Sequence, residues 1–150
     1  MADDTVPASS FEGLAAGIDV EFDDEALARA ARTRYRTDRI GSIEPDIGIR
    51  SALGPDEQLL AVRQSATVER LSGRGQSPLS GRLAITSKRL LMIDAEPLTL
   101  AALDDLDEVT LVRDRLLVML TNGEGFTIIA PQPMLLRVEL AAVRASRLDP

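Results

Sequence analysis

The chain has 150 residues, enough for one domain of ordinary size, and its hydrophobic content of 45% is typical of a globular protein. It has neither cysteine nor histidine, which excludes disulfides, thiolate or imidazole metal ligands, and Ser-His-Asp or Cys-His catalysis. Its net charge of −7 and its aromatic content of 3% disfavour nucleic-acid binding, which rewards basic surfaces and aromatic stacking platforms.

The first third of the chain lacks the pattern of a packed domain. Residues 1–22 are polar, acidic and aperiodic, which predicts a mobile arm. Asp23 and Asp24 are suitable N-caps for a helix that we expect over residues 25–37. Residues 38–55 are rich in glycine and proline and predict a linker. We therefore divide the chain into an acidic arm (1–22), a helix with its linker (23–52) and a domain (53–150).

From Glu57 to Ala130 the sequence reads as short apolar strands separated by turns. Asn122-Gly123 gives the strongest turn signal, because both residues tolerate the positive φ that a type I′ hairpin needs. The predicted strands, seven in all, cover residues 59–69, 81–86, 89–93, 98–100, 109–112, 116–120 and 126–130.

The chain closes with a helix. The proline-rich residues 131–133 interrupt the strands, and an apolar pattern of helical period covers residues 134–148. Leu136, Leu140 and Val143 share one face, which we expect to cover the open end of the sheet. Many strands followed by one helix favour a mainly β fold, a small bent antiparallel barrel closed at one end.

Four segments carry a resemblance to a known family. They are Leu53-Gly54-Pro55-Asp56-Glu57-Gln58-Leu59-Leu60, Gly81-Arg82-Leu83-Ala84-Ile85-Thr86-Ser87-Lys88-Arg89-Leu90-Leu91, Pro97-Leu98 and Asn122-Gly123-Glu124-Gly125-Phe126. In their order and spacing, residues 53–147 resemble the pleckstrin-homology (PH) superfold, in particular bacterial PH-like and GRAM-type domains. The resemblance implies a seven-stranded, strongly bent barrel with a C-terminal helix across one open end. It also implies binding of lipid, peptide or protein rather than catalysis.

Positive charge is concentrated between residues 63 and 89. This stretch contains six arginine or lysine residues and one acidic residue, Glu69, which gives a local charge of +5. In PH-type domains this region often forms an anion or phosphoinositide pocket, so the resemblance implies a candidate anion site. The alternative is a solvated, arginine-rich loop that offsets nearby acids. The members of this basic cluster are Arg70, Arg74, Arg82, Lys88 and Arg89.

Two further patterns predict no chemistry. An acidic cluster surrounds Leu106, but its spacing matches no EF-hand loop, and we expect an exposed acidic turn. Residues 73–77 lack the Gly-Lys-Ser/Thr ending of a phosphate-binding loop. We therefore expect no metal site, no cofactor and no catalytic residue. The acidic cluster comprises Asp104, Asp105, Asp107 and Glu108.

The terminal helix has a second apolar face made of small residues. A helix that only covers a barrel needs one apolar stripe, so the second stripe indicates contact with another helix. The alanines of the first helix offer a match, in the same chain or in a second copy. The alternative is that alanine is simply a good helix former on a solvated face. This partner-helix face comprises Met134, Val138, Ala141, Ala142 and Ala145.

These features favour a non-enzymatic binding or scaffolding module that contacts a protein partner or itself. The contact surfaces would be the exposed edge of the bent sheet, by strand addition, and the partner-helix face. The alternative is recognition of an anionic ligand or a lipid headgroup by the basic cluster, with peripheral membrane contact. An enzyme is a distant third. The acidic start lacks a signal core and no apolar run could cross a bilayer, so we expect a cytoplasmic protein.

Overall fold

The computed structural model describes residues 23–71 and 77–148; the predicted arm and Arg74 lie outside the described residues. Seven strands form one antiparallel sheet in the order β4-β3-β2-β1-β7-β6-β5, which confirms the predicted mainly β fold. The strands are β1 (Leu59–Arg70), β2 (Leu79–Thr86), β3 (Arg89–Ile93), β4 (Pro97–Ala102), β5 (Leu106–Val112), β6 (Arg115–Leu120) and β7 (Gly125–Ile129). The helices are α1 (23–34), α2 (Ile47–Arg50) and α3 (Pro133–Leu148).

The long first strand joins the two halves of the sheet. β1 has 12 residues and pairs with β2 along most of its length, and its last four residues also pair with β7. Its register shifts between Arg63 and Ala66, as expected at a β-bulge that bends a sheet. Among the described strands, β4 and β5 end the order and do not pair with each other, so the sheet is barrel-like but not closed.

The turn at Asn122-Gly123 is present, but its predicted type is wrong. Gly123 has a φ of 90°, whereas Asn122 is not among the described residues with positive φ. The Gly123 N–H donates to the Leu120 carbonyl oxygen, and four residues separate β6 from β7. A type I′ turn needs positive φ at both central residues, so this longer loop is not one.

The core is aliphatic and lies between the inner face of the sheet and α3. Leu136, Leu140 and Val143 are each 1% exposed and belong to the same buried cluster as Val118 and Ile128. Burying each of these side chains contributes on the order of 1.5–3 kcal/mol to folding. The predicted covering of the sheet by the terminal helix is therefore confirmed.

The first helix packs against the last one within the same chain. Ala28 and Ala31 are buried against Val138, and Tyr35 lies between this contact and the main core. The Asp24 carboxylate accepts hydrogen bonds from the N–H groups of Met134 (3.0 Å) and Leu135 (2.9 Å). These N–H groups begin α3 and lack partners within the helix, so Asp24 caps α3.

The end of α1 differs from the prediction. Within the described residues the helix covers 23–34, so it ends three residues before the predicted end at 37, and residues 35–38 form a turn and a bend. Asp23 and Asp24 therefore lie within α1 instead of preceding it. The sequence pattern identified Asp24 as a capping residue, but the helix that it caps begins more than 100 residues later.

The segment predicted as a linker covers the outer face of the sheet. Ile49, in α2, is 2% exposed and packs with Leu59, Ala84 and Leu91. The α2 N-cap is Asp46, whose side chain accepts a hydrogen bond from the Ile49 N–H. Where α2 lies, at Leu59, Ala84 and Leu91, the strands β1 to β3 are consequently buried on the outer face as well.

A buried ion pair fastens the start of α3 to β1. Arg63 is 8% exposed; its Nε donates to the Pro131 carbonyl oxygen at 2.8 Å, and its Nη2 contacts Glu139 Oε1 at 2.9 Å. Burial raises the pKa of Glu139 above its usual value, although the Arg63 charge and hydrogen bond oppose that shift. This pair orients the terminal helix across the sheet.

Candidate functional site

Among the described residues, the outer side of β4 is an open sheet edge. Its sequence, Pro-Leu-Thr-Leu-Ala-Ala, has no charged residue, and Leu98 is 41% exposed. In the part of the chain that the structure describes, no strand pairs with this side. Alternate N–H and C=O groups of an edge strand point away from the sheet and can accept another strand. Proline fits the first position because it has no N–H to donate.

A groove of about 320 Å³ adjoins this edge at the mouth of the barrel. Leu98 lies opposite Met92 in the β3–β4 register, so both side chains face the core side of the sheet. The groove thus combines an apolar floor with an acidic rim. Its lining residues are Pro78, Leu79, Ser80, Met92, Asp94, Ala95, Glu96 and Leu98.

Carboxylates flank β4 at both ends. Asp94 and Glu96 are exposed in the turn before the strand, and Asp104 and Asp105 are exposed in the short 3-10 turn after it. Of the predicted acidic cluster, these last two lie in a turn, but Asp107 and Glu108 belong to β5, because that strand starts earlier than predicted. The open edge is therefore an uncharged strand between two negatively charged turns.

The other edge strand, β5, is covered at its start. The Arg144 guanidinium, in α3, donates to the carbonyl oxygens of Leu106 (3.1 Å) and Asp107 (3.2 Å). Leu111 is half-buried against the core and lines a cavity beside α1. The chain therefore satisfies backbone carbonyl groups at the start of β5 with its own helix.

Arg89, from the predicted basic cluster, is bound to neighbouring residues. Its guanidinium contacts Glu57 at 2.9 Å and donates to the Ala52 carbonyl oxygen and to Thr99 Oγ1 in β4. Burial opposes ionisation of Glu57, but hydrogen bonds from Arg89, Thr86 and the Gly54 N–H lower its pKa to about 2. Arg89 thus ties the segment before β1 to β4.

Arg82 forms a second internal pair. Its guanidinium donates to the Asp46 carboxylate, and this hydrogen bond lowers the pKa of Asp46. The guanidinium crosses α2 so closely that a Cβ at Gly48 would lie 2.7 Å from Arg82 Nη2. A larger residue at this position would therefore displace the end of the Arg82 side chain.

The remaining described members of the basic cluster lie at opposite ends of the sheet. Arg70 is exposed at the end of β1, and Lys88 is exposed in the turn between β2 and β3. The eight-residue strand β2 separates these two positions by about 23 Å at 3.3 Å per residue. The structure therefore does not bring Arg70, Lys88 and Arg89 together in one place.

The partner-helix face is partly covered by the chain itself. Val138 is buried by α1, and Ala142 is half-buried against the core. Met134, Ala141 and Ala145 are exposed. At Val138 this face contacts α1 of the same chain, and its contact with any other partner stays a prediction.

No cluster of acidic side chains suited to a metal ion occurs among residues 23–71 and 77–148. None of the helices in these residues combines the length and the apolar character needed to cross a membrane. The features of the candidate site that the sequence reasoning missed are Leu98 and the turn residues Asp94 and Glu96. An uncharged strand sequence between two acidic pairs is the signal that would have found them.

The comparisons with known proteins concern the fold. No protein-family model matches the chain, and no curated protein sequence matches it. Among solved structures, 46 chains match. One, the Vps36 N-terminal PH domain, is 21% identical, with 65% of this chain and 86% of that chain covered and a TM-score of 0.50. Another, the C-terminal domain of an unknown protein from Leishmania infantum, is 17% identical over 59% and 85%, with a TM-score of 0.48.

At 21% sequence identity, the similarity is evidence for a shared fold only. The likeness agrees with the seven-stranded antiparallel order and with the helix across the open end of the sheet. The narrower resemblance to bacterial GRAM-type domains stays a prediction. The chain therefore has a pleckstrin-homology-like fold.

Proposed function

We propose that this chain is a non-enzymatic protein-binding module that takes up an extended segment of a partner along the outer side of β4. The supporting observation is the open, uncharged edge with exposed Leu98 and with carboxylates at both ends. Strand addition obtains affinity from main-chain hydrogen bonds and specificity from pockets for alternate side chains.

The dimensions of the edge define the bound segment. The six residues of β4 span about 20 Å, so a partner segment of about six residues would complete the pairing. The groove beside Leu98 and Met92 offers an apolar side chain a place at the mouth of the barrel. One aliphatic anchor near the start of β4 would therefore fix the register.

The flanking charges define the ends of the segment. Asp94 and Glu96 precede β4, and Asp105 follows it, so lysine or arginine at both ends of the partner segment would be attracted. These carboxylates are exposed and screened by salt, so they contribute to selection more than to affinity. The expected partner sequence is basic at its ends and apolar with alternating polar residues in its middle.

The same charges disfavour a second copy of this chain as the occupant. Antiparallel pairing of two β4 strands would bring the turn with Asp94 and Glu96 of one copy towards the turn with Asp104 and Asp105 of the other. Both turns are acidic, and the whole chain carries a charge of −7. Like charges at both ends of the contact oppose self-association.

An anionic ligand at the predicted basic cluster has less support. Arg82 is hydrogen-bonded to Asp46 and Arg89 to Glu57, so each would have to leave a carboxylate to bind an added anion. Arg70 lies about one strand length from Lys88.

Titration calorimetry with synthetic peptides tests the proposal. The probe has a core of alternating valine and threonine with two arginines at each end, and the control peptide has two glutamates at each end. We expect one-to-one binding of the arginine-flanked peptide, weakened by salt, and no binding of the glutamate-flanked peptide. The variant Asp94→Lys/Glu96→Lys should weaken binding about tenfold or more.

A matched variant controls for the change in net charge. Asp38→Lys/Asp114→Lys alters two exposed carboxylates in other surface turns and should leave peptide affinity unchanged. Equal affinity of both peptides would contradict binding at the β4 edge. An equal loss of peptide affinity in the two double variants would contradict it as well. Sedimentation that shows dimers through β4, abolished by Leu98→Lys, would instead assign the edge to a second copy.

A further inference from the structure

A second candidate site lies between α1 and the PH-like part of the chain. α1, α3 and β5 line a cavity of about 260 Å³ that is open to solvent. Three arginines from the two helices converge on it, beside one carboxylate and an apolar wall. The lining includes Arg29, Arg32, Arg137, Glu25, Leu111 and Met134.

The arginines of this cavity have few internal counter-charges. Arg29 contacts Glu25 at 3.4 Å, but both side chains are more than half exposed, so the pair is weak. Within the described residues, Arg32 and Arg137 form neither an ion pair nor a hydrogen bond. The nearby Asp24 carboxylate does not line the cavity and accepts the N–H groups of α3.

We propose that this cavity binds a phosphate monoester. The lining carries a net charge of +2, and a phosphate monoester carries about −1.5 to −2 at neutral pH. Guanidinium groups suit phosphate because each can donate two parallel hydrogen bonds. The apolar wall at Leu111 and Met134 would contact the organic part of the ligand.

The size of the cavity restricts the ligand further. Drug-sized ligands occupy pockets of roughly 300–1,000 Å³, so this one is suited to a single phosphate with a small organic group. The two helices supply the arginines, so the site exists only while α1 is packed on α3. This inference rests on other residues than the proposed function and does not depend on it.

Titration calorimetry with phenyl phosphate, inorganic phosphate and benzoate tests the ligand class. Phenyl phosphate should bind one to one, inorganic phosphate more weakly because it lacks the apolar group, and benzoate weakest because it carries one charge. Arg32→Gln and Arg137→Gln should each weaken phenyl phosphate binding about tenfold. Unchanged affinity in both variants would overturn the assignment.

Arg70→Gln is the matched control. Arg70 is exposed, belongs to the predicted basic cluster and lies outside this cavity. Its replacement should leave binding unchanged; a loss of affinity in this variant alone would move the anion site to the basic cluster. The thermal unfolding midpoint of each variant separates lost binding from lost folding.

Vesicles distinguish the source of the phosphate. Phosphatidylcholine vesicles with and without phosphatidic acid are sedimented with the protein and with the Arg32→Gln variant. Retention that needs both phosphatidic acid and Arg32 identifies a lipid headgroup, whereas binding of phenyl phosphate alone identifies a soluble ester. Binding of neither probe overturns the proposal.

Discussion

The two edge strands of the sheet differ in what lies beside them. At β5, Arg144 of α3 bonds to two strand carbonyl oxygens, and the strand itself carries Asp107 and Glu108. At β4 there is no charge in the strand, and Leu98 is exposed. Natural proteins protect sheet edges with helices and charges because an open edge invites pairing. This difference between the edges is the basis of the function proposed for β4.

The largest expected difference between the two edges is in stability, when one leucine from each side of the sheet is replaced by alanine. Leu140 belongs to the helix that covers the β5 side and is 1% exposed, whereas Leu98 is 41% exposed. We expect Leu140→Ala to lower the free energy of unfolding by about 2–5 kcal/mol. Leu98→Ala should lower it by less than about 1 kcal/mol. Urea denaturation followed by circular dichroism measures both, and equal losses would mean that β4 is packed as firmly as the covered side.

Acidification should loosen the attachment of the open edge. The folded-state pKa of Glu57 is about 2, below its ordinary value of 4.5, so the ionised side chain stabilises the fold. That stabilisation is fully present above pH 4.5 and is lost as the pH falls through about 2. Glu57→Gln should lower the free energy of unfolding at neutral pH. It should also reduce the loss of stability between pH 4.5 and about 2. Parallel pH profiles for the variant and the parent would contradict this role.

Removing the cover of β5 should have a smaller effect. Arg144→Met keeps the length of the side chain but deletes two hydrogen bonds to strand carbonyl oxygens, at an expected cost of about 1 kcal/mol. Arg137→Met, on the same helix and without a described partner, should change stability by less than about 0.5 kcal/mol. Chemical denaturation of both variants checks this order.

A charge placed on the β4 edge should change stability least and should change peptide binding and aggregation most. Leu98 in β4 and Val112 in β5 are similarly exposed, at 41% and 43%. Leu98→Lys should change stability little, abolish binding of the arginine-flanked peptide and reduce aggregation on heating, because a charge protects an open edge. Val112→Lys should leave peptide binding and aggregation unchanged. Light scattering and calorimetry compare the two, and identical behaviour would remove the distinction between the edges.

The strands and the terminal helix were predictable because their signals are local. Alternating apolar residues mark each strand, and Leu136, Leu140 and Val143 recur at helical spacing, so the burial of that face follows from periodicity. Strand ends were less predictable: β5 starts at Leu106 because the preceding 3-10 turn takes only three residues.

The contacts that decide the candidate site were not predictable, because they join residues far apart in sequence. From the sequence alone, Arg82 and Arg89 have no evident partner. The carboxylates that bind them lie 36 and 32 residues earlier in the chain. α2 was missed because four residues around a glycine show no helical period. The openness of β4 also depends on the strand order, which single strands do not reveal.

The packing of α1 provides an optical reporter. Tyr35 is the only tyrosine of the chain, and there is no tryptophan. Its ring lies between the α1–α3 contact and the core, with the Arg34 guanidinium 5.4 Å from its centroid. Tyrosine fluorescence of the unmodified protein therefore comes from one site, and its quenching by acrylamide would follow detachment of α1 separately from unfolding of the sheet.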